Sequence, residues 1–155
     1  MRRLILGVAA ACAIVALTAS GAPAKNGNGV MCVLHARLTT TNETTGSTST
    51  ARGHTQIKVR ANGTIEFKTH ILNQDGETFV AGHIHQAPVG VAGPIVVPLF
   101  VSPTPATNAR HIRQSGVATP NGGTTGADLC ANPSAYYVNY HTTAFTGGAI
   151  RGQLH

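Results

Sequence analysis

"HTQIKVRANGTIEFKTHIL", residues 54–72, decides the fold. Two short runs rich in Ile, Val, Thr and Phe flank an Asn62-Gly63 pair, the strongest short hairpin signal a sequence carries. The pair is expected to form a two-residue type I′ turn, with both residues at positive φ. On the second arm Ile65, Phe67, Thr69 and Ile71 share one face, and Glu66, Lys68 and His70 share the other. Period-two alternation with one wet face specifies an antiparallel sheet with a single buried side.

Working outward, further strands are expected at "VMCVLHARLTT" (30–40), "FVAGHIHQA" (79–87), "PIVVPLFV" (94–101), "AYYVNYHT" (135–142) and within the C-terminal "TAFTGGAIRGQLH". Pro98 inside the fourth of these predicts an edge strand or a bulge, because proline cannot donate to a ladder. The stretch 41–53 and most of 111–134 read as loop, having little periodicity. No segment after the N-terminal region has helical period. Seven or so short strands separated by Gly and Pro turns imply an all-β, antiparallel Greek-key β-sandwich or barrel.

The N-terminus is a separate matter. Arg2 and Arg3 precede an apolar run from Leu4 to Leu17, and Ala22-Pro23-Ala24 has the small-x-small form of a cleavage site. Residues 1–24 are expected to be a secretory signal, with one domain over 25–155. The apolar run falls short of the ~20 residues that span a bilayer. The expected location is therefore secreted or periplasmic, with no membrane attachment after cleavage. Cys12 departs with the signal. The remaining cysteines, Cys32 and Cys130, are expected to form one disulfide in an oxidising compartment.

The 155-residue chain has a formal net charge of +6, and removal of Arg2 and Arg3 leaves nine basic against five acidic residues. The basic residues are dispersed singly along the chain, and aromatics are few. Nucleic acid is not an expected partner, since phosphate recognition needs clustered positive charge. No nucleophile–base arrangement, paired carboxylates or phosphate loop is present. Any enzyme activity would have to come from a metal, and the balance leans away from an enzyme.

Histidine carries the chemistry. His83 and His85 are one residue apart on a strand, which puts two imidazoles on one face. His141 lies in the Tyr/Val-rich strand on the face of Asn139 and Tyr137. With Ile84 and Val138 turned to the core, all three histidines should project outward, forming a shallow metal site on the sandwich wall. Neutral imidazoles suit copper and zinc. His111 is a candidate fourth ligand. Arg151 and Asn139 are candidates for supporting the ligands, although Arg151 serves equally as a structural clamp on the last strand. Hydrogen-bonded histidines on a polar face, holding no metal, are the competing account.

Two blocks, "AGHIHQAPVGVAGPIVVPLF" and "YYVNYHTTAFTGGAIRGQL", resemble the chordin-type (CHRD) domain. The resemblance runs from Val30 to the C-terminus. It implies an extracellular β-sandwich used as a binding module, with an extracellular protein or a metal ion as its partner. "GHIHQ" and "YVNYH" also resemble, more weakly, the copper strands of Cu/Zn superoxide dismutases. That likeness implies a superoxide-dismutase-like fold. It also implies copper, with zinc as second choice, on His83, His85 and His141, and Arg151 steering an anion. The zinc loop of the dismutases has no counterpart here, which favours a binding module over a copper-dependent dismutase-like enzyme.

Overall fold

The structure, a computed structural model, describes residues 28–101 and 107–155. The expected export signal over residues 1–24 lies outside the described residues. Among the described residues, eight strands form two four-stranded antiparallel sheets, accompanied by one short α-helix. In chain order they are β1 (Val30–Leu38), β2 (Arg52–Arg60), β3 (Ile65–Leu72), β4 (Phe79–Gln86), β5 (Ile95–Val101), β6 (His111–Ala118), helix α1 (Gly126–Ala131), β7 (Tyr136–Thr142) and β8 (Ile150–Gln153). One sheet has the order β1-β2-β3-β6, the other β5-β4-β7-β8.

The hairpin 54–72 forms β2 and β3 as its pattern requires. Ile57 and Val59 of β2 and Ile65, Phe67 and Ile71 of β3 are buried, whereas Lys68 and His70 are exposed. Its turn differs from the expectation. Gly63 has φ +84°, and no described non-glycine residue has positive φ. Gly63 N–H donates to Arg60 O (2.9 Å) and Arg60 N–H to Thr64 O (2.8 Å), so the loop is Ala61-Asn62-Gly63, one residue longer than a type I′ turn. Three-residue hairpin loops place a glycine in the left-handed region at their third position. Asn62 works through its side chain instead, its Oδ1 accepting from Thr64 N–H at 3.0 Å.

The sheets pack through Leu34, Leu38, Ile57, Phe67 and Ile112 on one side and Ile84, Val97, Val138, Tyr140 and Ile150 on the other. A polar thread through this core is satisfied. Tyr140 Oη donates to Thr69 Oγ1 at 2.8 Å, and Thr69 shares a 2.8 Å hydrogen bond with Thr55. Burial pushes the Tyr140 phenol well above its ordinary range, so it remains a neutral donor. Gly82 turns to the same interior, and a Cβ there would lie 2.5 Å from the Tyr140 ring. The glycine of "GHIH" therefore admits a large aromatic beneath β4.

The two sheets also touch along one side. Thr39 and Arg151 exchange both backbone hydrogen bonds (3.0 and 3.1 Å), and so do His35 and His155 (2.9 and 3.0 Å). A Cβ on Gly152 would lie 2.2 Å from Arg37 O, so the glycine of "IRGQ" is what lets β8 approach β1. Pro98 sits on β5, an edge strand, opposite His83 and between two register shifts, as its chemistry demands.

Residues 111–134 are not mostly loop. They hold β6 and α1. β6 is an edge strand pairing only with β3, and only Ile112 and Ala118 of its eight residues are buried, which leaves little alternation to detect. α1 is marked by a capping box. Thr125 Oγ1 accepts from Asp128 N–H, and Asp128 Oδ2 accepts from Thr125 N–H. Leu129 is fully buried, and Cys130 is bonded to Cys32 of β1 across a sequence separation of 98.

A closed loop of ~100 residues is worth about 4.7 kcal/mol on the chain-entropy model. The double substitution Cys32→Ala/Cys130→Ala should lower the thermal midpoint by roughly 10–40 °C, at the scale of about 2–8 °C per kcal/mol for domains near this size. Calorimetry of the variant beside the oxidised protein checks this, and an unchanged midpoint would show that packing alone holds α1 in place.

Candidate metal centre

β4, β7 and β8 are neighbours, and their register sets three rows across the outer face: His85 beside Tyr137, His83 beside Asn139 beside Arg151, and Ala81 beside His141. Alternation carries the side chains of all these residues away from Ile84 and Val138, which point into the sandwich. The expectation that the three histidines share the outer face of the second sheet holds in this arrangement. Phe79 departs from it. A register shift between Phe79 and Ala81 turns Phe79 into the core, where it is fully buried, and leaves Val80 partly exposed.

The face is not a shallow surface. His85, His141, Tyr137, Asn139 and Arg151 are all buried, Arg151 to 2% exposure. Three connecting segments close over it. From 39–49, Asn42 Nδ2 donates to Arg151 O (3.1 Å), Thr45 Oγ1 to Gly148 O (3.1 Å) and Ser47 Oγ to Ala149 O (3.0 Å). From 87–93, Pro88 O accepts from Arg151 Nη2 (3.1 Å), and Gly93 N–H donates to Tyr137 Oη (3.2 Å). From 143–148, Thr146 O accepts from His141 (2.9 Å). Strand alternation reports which way a side chain points, not what lies above it, so the cover could not be expected from periodicity.

The imidazoles are oriented by backbone. His85 Nδ1 lies 2.9 Å from Gly93 O and His141 Nδ1 2.9 Å from Thr146 O. A carbonyl only accepts, so both Nδ1 atoms carry the proton, and each neutral ring presents a bare Nε2. Pinning one ring nitrogen on a carbonyl so that the other is free is how proteins present metal-binding histidines. His85 Nε2 is buried and has no hydrogen-bond partner. His83 Nδ1 lies 3.2 Å from His141 Nε2. One ligand atom from each of His83, His85 and His141 falls within 4.8 Å of the others. Two nitrogens bound at ~2.05 Å to one tetrahedral ion stand about 3.3 Å apart, so the His83–His141 spacing already suits a shared ion. The orphaned His85 nitrogen and the all-imidazole donor set fit a copper or zinc ion.

Electrostatics keeps the rings neutral. Desolvation, together with repulsion from His141 and His85, brings His83 down to about 4 from its usual 6.5. Desolvation also lowers His85 and His141, against the opposing pull of their carbonyl partners. On uncharged imidazoles a metal ion has no proton to displace at neutral pH.

Arg151 and Asn139 border the group. The Arg151 guanidinium carbon sits 3.3 Å from the Tyr137 ring centre, and His85 stacks on the same ring at 4.8 Å and 9°. Strand order puts Tyr137 between them. Asn139 makes no hydrogen bond to a histidine ring, and its Oδ1 has no partner. His111 stands exposed at the start of β6, opposite Leu72 in the other sheet, so the sheet order separates it from the three-histidine group.

Glu43 was not foreseen as a site residue. Its two carboxylate oxygens are buried without a partner, and an added Cβ on Gly148 would lie 2.7 Å from both Glu43 Oε2 and Asn139 Nδ2. Gly148 at φ +138° thus lets Glu43 and Asn139 come together beneath the loop. Desolvation raises the Glu43 carboxyl to about 7, partly offset by the charge of Arg151. An Asn-Glu-Thr run in a polar loop carries no signal for this, because the burial comes from how the loop is laid down.

The CHRD domain family matches residues 34–154. The chain belongs to the CHRD domain family. No curated protein and no solved structure matches it. The family match spans both motif blocks, so the "GHIH" and "YVNYHT" strands of this CHRD domain are the two that carry its histidine group.

The two unusual titrations have opposite signs. His83 has a folded-state value below its unfolded one, so its share of stability is present above pH 6.5 and lost as pH falls toward 4. Glu43 has a raised folded-state value, so its share is present below 4.5 and lost as pH rises through about 7. Glu43→Gln should therefore raise the thermal midpoint of the metal-free protein at pH 8 by several degrees more than at pH 5. His83→Gln should flatten the loss between pH 6.5 and 4. Thermal melts of both variants across pH check the two signs independently.

Proposed function

We propose that this CHRD domain is an exported binding module that holds one copper ion on His83, His85 and His141. The observation that carries this reading is the buried, unpartnered Nε2 of His85, in a group whose three imidazole ligand atoms lie within 4.8 Å of one another. Copper is preferred to zinc because nitrogen sites bind Cu²⁺ more tightly than Zn²⁺. When bound, the ion would supply a Lewis-acidic or redox-active centre. The chain's own part is to hold three neutral nitrogens, fix two of them by backbone carbonyls and limit water around them. Export agrees with the Cys32–Cys130 disulfide, which suits an oxidising compartment. Among the described residues no helix is long and apolar enough to cross a membrane.

A non-catalytic role fits Arg151 better than a dismutase-like one. Its guanidinium is buried, stacked on Tyr137 and bonded to Pro88 O, so it clamps the last strand rather than facing arriving anions. The metal-free account is favoured by one contact, the His83–His141 hydrogen bond, but it leaves His85 Nε2 unsatisfied.

Titration of the untagged, metal-stripped protein should give one copper per chain, a higher thermal midpoint on loading, and weaker binding of zinc. His85→Ala should weaken copper binding by at least about 100-fold, since it removes one of three ligands, whereas supporting contacts cost 10–100-fold. Failure of both metals to bind, with His85→Ala unchanged in stability, would overturn the metal reading. Copper binding accompanied by superoxide turnover above that of buffer would favour the enzyme instead.

A further inference from the structure

On the opposite sheet the basic residues that looked dispersed in sequence are collected by register. Arg37 of β1 pairs with His54 of β2, His54 with His70 of β3, and His70 with Arg113 of β6. These four side chains form one row across the whole sheet. Arg52 and His111 flank Leu72 in the next row on the same face. All six are exposed and line one open groove of about 320 Å³. No Asp or Glu lines it, and among the described residues both salt bridges end on Glu66, away from the groove. Arg52 is held by a neutral partner, donating to Gln74 Oε1 at 2.7 Å. The His54 and His70 rings lie 5.1 Å apart. A cation-lined groove without its own counter-charges is electrostatically incomplete, because its field is complementary to an anion that the chain does not supply.

We infer that this groove binds a linear acidic polysaccharide through its carboxylate or sulfate groups. Neighbouring strands stand about 4.8 Å apart, so the row presents one basic side chain per strand over ~14 Å, with the permanent charges of Arg37 and Arg113 at its two ends. Permanent charges spread over that length, with hydrogen-bonding imidazoles between them, suit an extended polyanion better than a single compact oxyanion. Arginine forks at both ends of the row suit planar or tetrahedral oxyanions by paired N–H donation. Single-stranded nucleic acid is disfavoured, because no Phe, Tyr or Trp lines the groove to stack a base. The site is on the other sheet from the histidine group and does not depend on a metal.

The test is titration calorimetry of the oxidised protein with size-fractionated polygalacturonate, sulfated dextran and, separately, oligothymidylate. At least one polysaccharide should bind at low ionic strength. Its affinity should fall steeply as the Debye length shortens from ~30 to ~8 Å. Arg113→Gln should weaken binding about fivefold and Arg37→Gln/Arg113→Gln at least about tenfold, as expected for loss of bidentate contacts. Lys58→Gln, on the same face outside the groove, should change it less than about twofold. Unchanged thermal midpoints would show that the variants fold. The inference is overturned by no polysaccharide binding at low ionic strength, by equal losses for Arg113→Gln and Lys58→Gln, or by tighter binding of oligothymidylate.

Discussion

The stack of His85, Tyr137 and Arg151 across three adjacent strands organises the dry face of this domain. Tyr137 takes an imidazole on one side at 4.8 Å and a guanidinium on the other at 3.3 Å. A guanidinium over an aromatic ring gains most when both are desolvated, on the order of 2 kcal/mol. Arg151 is nevertheless a buried charge, and such a charge is tolerated only when its donors are engaged. Pro88 O takes one of them, and the Glu43 carboxylate lies within reach of its field. The loop positions follow. Residues 87–93 must come down to reach Arg151, Tyr137 and His85, and residues 39–49 must come down over Arg151 and Gly148.

That cover decides what the histidines are. With the loops in place they lose water, stay neutral and have their tautomers set by Gly93 and Thr146. In the metal-free state the bare His141 Nε2 can only accept, so His83 Nδ1 is the donor between them. Were a metal held there, the His83 proton could move to Nε2, leaving Nδ1 free with no net release of a proton from the pair. Desolvation under the loops, with the two neighbouring imidazoles adding to it, explains why His83 resists protonation down to about 4.

The local features were legible in the sequence, and the non-local ones were not. The hairpin 54–72, the outward face of the histidines, the edge character of Pro98 and the bridge between Cys32 and Cys130 all follow from alternation, proline chemistry or cysteine arithmetic. β6 was hidden because an edge strand with two buried residues barely alternates. Glu43 was hidden because nothing local distinguishes a loop glutamate that ends up beneath Gly148. The bulge that buries Phe79 was hidden for a related reason. One extra residue in a strand exchanges its faces, and only the pairing partner reveals it.

The row of arginines and histidines shows the same limit from the other side. Arg37, His54, His70 and Arg113 are separated by 16 to 43 positions in the chain, so no window of sequence joins them. Register alone does. The sandwich thus carries two groups of histidines with opposite characters. Those on the second sheet lie under three loops and are dry, neutral and aimed at one another. Those on the first sheet stand exposed among arginines along an open groove. Because the residue type is the same on both faces, the difference in chemistry comes from the connections: segments 39–49, 87–93 and 143–148 turn a sheet face into an interior.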